Sequence, residues 1–252
     1  APAKQVLSAY YATILLDYLG EHRYTIQYRT AVDDNKNPDF RMWDVSRFQT
    51  EVRKYISLSL TEPEILKNPR AERWTDVLDT CEEQRKYRPT LYDVLNQQAI
   101  LMHYRLPSNQ AKSPFRLKDY RAFEPIETFT GANFISDDTT DADYCTLRIY
   151  QNLCRFHRFD NDKNALLDLE RLRFAFADKI TIAEKSREYY TNKLRILKEQ
   201  YRGYEGSTRV TYTLAQILHN NGADEEAVML CKEAESQFPE SIGALDCKYL
   251  RS

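Results

Sequence analysis

Apolar positions recur at helical spacing through most of the chain. Val6, Leu7, Tyr10, Tyr11, Ile14, Leu15, Tyr18 and Leu19 form one broad stripe, which predicts a first helix that is largely buried. A weaker helical segment covers Arg23 to Thr30, and the polar stretch Ala31 to Arg41, with Pro38, reads as a loop. Asp44 then stands in the N-cap position of a helix that carries Val45, Phe48, Val52, Tyr55 and Ile56 on one face. A short helix follows Pro63, and Lys67 to Arg88 is charged and only weakly periodic. Pro89-Thr90-Leu91-Tyr92-Asp93 opens the next helix. There Thr90 can cap and Asp93, three residues on, can reach back, with Leu91, Leu95 and Met102 on the buried side.

Periodicity fails from Pro107 to Asp143, a stretch that holds Pro107, Pro114 and Pro125 and several polar clusters. A loop of this length is either functional or ordered by packing, and Phe115, Tyr120, Phe123, Phe129 and Phe134 are the side chains that could order it. It marks the expected boundary between two lobes: an N-terminal helical lobe over 1–106, an irregular connector over 107–140 and a C-terminal helical lobe over 141–252. In the second lobe Tyr144, Leu147, Tyr150 and Cys154 form one stripe, and Leu169, Leu172 and Phe176 another. Thr208 to Ser241 has the length and small-residue spacing of a tetratricopeptide unit, a helical hairpin of about 34 residues, with Gly222 at its turn and Pro239 at its end. Tyr190, Leu194, Leu197 and Tyr201 have the same spacing as Ala227, Cys231, Ala234 and Phe238, as the second helix of an earlier, degenerate repeat would. Leu245 and Tyr249 begin a terminal helix that can close the stack. The expected fold is therefore all-α, an irregular helical-hairpin (tetratricopeptide-like) stack with one long non-periodic segment.

Composition narrows the function classes. Among 252 residues, 36 Lys and Arg face 38 Asp and Glu, so the net charge is only −2. The basic excess of a nucleic-acid module is missing, and most charge belongs to solvated helix surfaces. No run of about 18 apolar residues predicts a membrane span. Six Gly against 18 Tyr, 11 Phe and 2 Trp favours packed helices over a sandwich of tight turns.

Candidate chemistry is sparse. Cys81-Glu82-Glu83-Gln84 has the Cys-to-Gln spacing of an internal thioester. Glu82 stands where the tight turn needs Gly, however, and the charged surroundings favour an exposed helix. Asp160-Asn161-Asp162-Lys163-Asn164 starts like a calcium loop, but Ala165 and Arg171 occupy the positions that need Gly and Glu. A polar connector with Asp162 capping the next helix is the simpler expectation. His22, His103, His157 and His219 form no His-x-x-x-His pair, and no catalytic, phosphate-binding or dinucleotide motif is present. No catalytic residue, metal ligand or cofactor is expected. The five Cys include no C-x-x-C pair. Cys231 and Cys247 fall on adjacent predicted helices, either as two buried small side chains or as a disulfide. Arg209, Tyr212, Gln216 and His219 share one helix face, which in tetratricopeptide-type stacks usually lines a groove; they are the candidate partner-binding residues, against the plainer readings of a solvated face or a contact with another domain of the same protein.

Several stretches, taken in order, resemble the N-terminal helical region of the large alpha-2-macroglobulin-like proteins of the Bacteroidetes. They are Tyr10-Tyr11-Ala12, Met42-Trp43-Asp44-Val45, Arg88-Pro89-Thr90-Leu91-Tyr92-Asp93-Val94-Leu95, Thr139-Thr140-Asp141, Ala165-Leu166-Leu167-Asp168-Leu169-Glu170-Arg171-Leu172 and Phe238-Pro239-Glu240-Ser241-Ile242-Gly243-Ala244 with Cys247 following. The resemblance implies an exported, periplasmic or outer-membrane-associated protein of a protease-trapping family. It places the covalent chemistry outside this chain, and its partners would be proteins: neighbouring domains or another envelope protein. The other expectations are a free-standing tetratricopeptide-like or SusD-like surface binding protein, and an enzyme of unrecognised type. Macroglobulin-like β-domains after Ser252, or a deep pocket of converging ionisable groups, would separate these.

Overall fold

The computed structural model describes residues 2–29, 38–68, 70–74, 82–107 and 114–252, with the backbone alone at 82–84. Among the described residues the chain is all-helical, with thirteen α-helices and no strand. In chain order the first six are α1 (Ala3–Glu21), α2 (Arg23–Ile26), α3 (Val45–Ser59), α4 (Pro63–Lys67), α5 (Glu82–Tyr87) and α6 (Leu91–Arg105). They continue with α7 (Ile126–Gly131), α8 (Ala142–His157), α9 (Asn164–Ile180), α10 (Ser186–Gln200), α11 (Ser207–Asn220), α12 (Asp224–Gln237) and α13 (Ile242–Leu250). Cys81 lies outside the described residues, as do the side chains of Glu82, Glu83 and Gln84, so the thioester motif is not described.

The chain divides into two compact units, each built from two stretches of sequence. One is Ala1–Pro114 with Asp138–Ile149, and the other is Phe115–Asp137 with Tyr150–Ser252. This division differs from the one expected over 1–106, 107–140 and 141–252. Residues 115–137 pack within the second unit, and the first half of α8 counts with the first.

In the first unit α1 packs along α3 and against α6. Two helix starts have local causes. The Asp44 side chain accepts the Arg47 backbone N–H at 2.7 Å and starts α3. Thr90 and Asp93 form the reciprocal capping box that starts α6. The buried face of α1 is Val6, Ala9, Ala12, Leu15, Leu16 and Leu19, whereas Leu7 is 66% and Ile14 52% exposed. The stripe is thus rotated from its expected place. Ala9 and Ala12 have almost no side chain to keep a neighbouring helix away, so close packing falls on their face and the larger Leu7 and Ile14 turn outward. Phe48, Val52 and Ile56 fill the α3 side, and Tyr11 meets Tyr55 edge-on at 4.5 Å.

The second unit is a run of hairpins. α9 packs on α10, α10 on α11, α11 on α12 and α12 on α13, and α9 and α13 both also touch α11. The α11–α12 turn is a Schellman closure. Ala223 N–H bonds the Leu218 carbonyl and Gly222 N–H the His219 carbonyl, both at 2.9 Å, with Gly222 at φ +80°. α13 then comes down on the start of α11. Ser241 Oγ donates to Thr208 Oγ1 at 2.9 Å, and a Cβ on Gly243 would sit 2.3 Å from the Thr208 carbonyl carbon. Only glycine permits that approach.

Residues 115–137 have little regular structure, so their carbonyls lack ladder partners, and side chains from the helices supply the donors. Arg173, fully buried on α9, donates to the carbonyls of Ala122 at 2.7 Å and Glu124 at 3.0 Å. Gln151 Nε2 donates to the carbonyls of Phe129 at 2.8 Å and Ala132 at 2.9 Å, and Arg155 donates to the Thr130 carbonyl. Glu170 neutralises Arg173 through two bonds of 2.8 Å, and the rings of Phe129 and Phe174 lie 4.4 and 4.5 Å from the guanidinium. Leu117 pairs with Ile180 and Ile182, and Tyr120 stacks on Tyr189 at 4.4 Å. Phe115, Phe123, Phe129 and Phe134 are buried as the packing expectation required, and Tyr120 is half-buried.

Arg173→Met should destabilise the second unit by about 3–5 kcal/mol, because Glu170 would be left as a buried charge without its partner. Denaturant unfolding followed by circular dichroism measures this. In the same assay Gly243→Ala should cost about 1–3 kcal/mol through overpacking against α11.

Candidate interaction face

The four residues expected to line a groove all lie on α11, but the structure gives them different surroundings. Arg209 is half-buried and reaches α9, where its guanidinium sits 3.2 Å from Asp168. Asp168 is itself buried and also holds Arg171 at 2.7 Å. Tyr212 is half-buried, close to Asp246 and Cys247 of α13 and to Cys231 of α12. Burial raises the pKa of its hydroxyl, and the nearby acidic groups push it the same way. Thr208 meets the start of α13 and Tyr212 lies further along beside Asp246 and Cys247, so α13 runs beside α11 in the same direction.

Gln216 and His219 are exposed. Gln216 Nε2 reaches the Tyr212 hydroxyl at 3.4 Å, while His219 Nδ1 lies 2.6 Å from Asp224 at the start of α12. His219 therefore braces the α11–α12 turn. Arg209 braces α11 against α9, and Gln216 is the member of the set that faces solvent most freely. On the neighbouring helices the charges are also tied internally. Lys198 of α10 pairs with Glu233 of α12 at 2.7 Å, Arg195 with Glu226 at 2.5 Å and Arg202 with Glu233 at 3.1 Å.

Cys231 and Cys247 are both fully buried free thiols, on the helices α12 and α13 that pack against each other. Cys154, also buried, donates to Glu170 Oε1 at 3.7 Å. Asp162 accepts the Asn164 backbone N–H at 2.9 Å and so serves the start of α9. Asp160, in the same stretch, engages the buried His157 at 2.6 Å. Among the described residues no three His, Cys, Asp or Glu side chains are grouped to hold a metal, and no helix is long and apolar enough to cross a membrane.

One titratable group in the first unit was not apparent from the chain. His103 of α6, Arg53 of α3, and Asp138, Asp141 and Cys145 around the start of α8 are widely separated in sequence but electrostatically coupled in the fold. Burial, reinforced by the Arg53 charge, pushes the His103 pKa down to about 4. Burial next to Asp141 pushes the Cys145 thiol up to about 11, and its Sγ donates to the Thr139 carbonyl at 3.4 Å. Near neutral pH the histidine is therefore uncharged and the thiol protonated, the opposite of an activated thiolate beside an imidazolium.

The chain matches no family model, no curated protein and no solved structure.

The His103 shift has a pH consequence. Its folded pKa lies below the usual 6.5, so its contribution to stability is complete above pH 6.5 and is lost as pH falls toward 4. Between those limits His103→Gln should lose about 1–3 kcal/mol less stability than the parent chain. Urea unfolding at a series of pH values provides the check.

Proposed function

We propose that this chain is a non-catalytic helical interaction or spacer module of a large alpha-2-macroglobulin-like envelope protein, with tetratricopeptide-like hairpins in its second unit. One observation carries the reading: the motifs behind the resemblance are structural devices of the helical scaffold. Asp44 caps α3, Thr90 and Asp93 box the start of α6, and Asp141 accepts the backbone N–H groups of Asp143 and Tyr144 at the start of α8. Ala165 to Glu170 are buried along α9, and Ser241 with Gly243 docks α13 on α11. A sequence whose distinctive stretches sit in caps and close helix contacts is specified for shape. The direction of the thiol pKa shifts supports the same reading, since burial raises those of Cys145, Cys154, Cys231 and Cys247 and keeps them protonated.

In this reading the protein is exported and acts in the periplasm or at the outer membrane. The partner is protein, either the domains that follow in the same polypeptide or another envelope component, and protease trapping belongs to the full-length molecule. The solvent-facing part of α11, around Gln216, is the surface offered.

The test is the reading frame downstream of Ser252, followed by hydrogen exchange on the encoded protein. Macroglobulin-like β-domains are expected in the frame, with slower amide exchange over 209–219 in the longer protein than in this chain alone. A stop codon directly after Ser252 would remove the proposal.

A further inference from the structure

We infer that Cys231 and Cys247 are a redox-responsive pair whose disulfide, once closed, fixes the terminal helix α13 to α12. This is independent of the family reading. Both side chains are fully buried on helices that pack directly against each other. Each is the one residue larger than alanine on the buried face of its helix, and each thiol acts electrostatically on the other. A disulfide needs two cysteines that are already neighbours, and two thiols buried between packed helices are placed for it. The remaining described cysteines are directed elsewhere, Cys145 to the Thr139 carbonyl and Cys154 to Glu170.

The oxidant is a low-molecular-weight disulfide, RSSR. The Cys231 thiolate attacks one sulfur of RSSR, whose S–S bond breaks, and RS⁻ leaves and takes up a proton. Cys247 then loses its proton to solvent and attacks the Cys231 sulfur, displacing the second RS⁻, which is protonated in turn. Two protein thiols are oxidised to one disulfide, and RSSR is reduced to two RSH. Cys231 reacts first because the Cys247 S–H group stabilises its thiolate, whereas Cys231 raises the pKa of Cys247. Burial raises both thiols, so exchange waits for α13 to open. That helix is nine residues long, and a short helix opens locally at lower cost than the whole unit unfolds.

The test equilibrates the whole purified chain in two buffers, one rich in oxidised and one in reduced glutathione. Each sample is acid-quenched, denatured, alkylated and mapped by peptide mass, and its unfolding is followed in parallel. The expected result in the oxidising arm is a Cys231–Cys247 cross-linked peptide lacking two hydrogens. Its thermal midpoint should be higher by about 5–10 °C than that of the reduced chain. This difference should vanish in Cys231→Ala and in Cys247→Ala. The oxidised-against-reduced comparison of the unaltered chain needs neither variant to fold. Alkyl label on both cysteines after oxidation, separate glutathione adducts on each, a bridge to Cys81, Cys145 or Cys154, or a cross-link with an unchanged midpoint would each overturn the inference.

Discussion

The constraint on which the second unit depends is the hydrogen bonding of an irregular backbone. Residues 115–137 bury four phenylalanine rings without the regular ladders that usually accompany such burial. Exposed carbonyls would find water; buried ones need donors from the protein. Arg173 and Gln151 supply them, each reaching two carbonyls. Arg173 can be fully buried because Glu170 balances its charge and aromatic rings cover its faces. With that one side chain, α9 is fixed to the segment that covers it, and α10 and α11 pack on α9 in turn.

The features legible in the chain are local ones. Asp44, the Thr90–Asp93 box and Gly222 act within a few residues of themselves, so their spacing carries their meaning. The all-helical class follows equally well from periodicity. Features set by distant partners were hidden. A stripe as broad as that of α1 leaves its rotation undetermined until the packing of the unit buries Ala9 and Ala12. Asp168, Glu170 and Arg173 look like ordinary charges of a solvated helix, and only the carbonyls of Ala122 and Glu124, remote in sequence, reveal why they are buried.

The candidate face illustrates the same limit. Helical spacing correctly puts Arg209, Tyr212, Gln216 and His219 on α11, but spacing does not show what an adjacent helix has already engaged. Asp168 takes Arg209, Asp224 takes His219, and α13 shelters Tyr212. The first unit shows the converse. His103 and Cys145 share no motif, yet packing brings both close enough to Arg53 for its charge to act on each.

The interleaved division of the chain also bears on how the protein is made. The polypeptide passes from the first unit to the second after Pro114, returns at Asp138 and leaves again after Ile149. During synthesis from the N-terminus, the first unit lacks its last stretch until residues 138–149 have left the ribosome, by which time all of 115–137 has already emerged. That unit therefore cannot be finished and set aside before the second begins. For a time the nascent chain carries two unfinished cores at once, and the apolar faces of both await partners that have yet to be made.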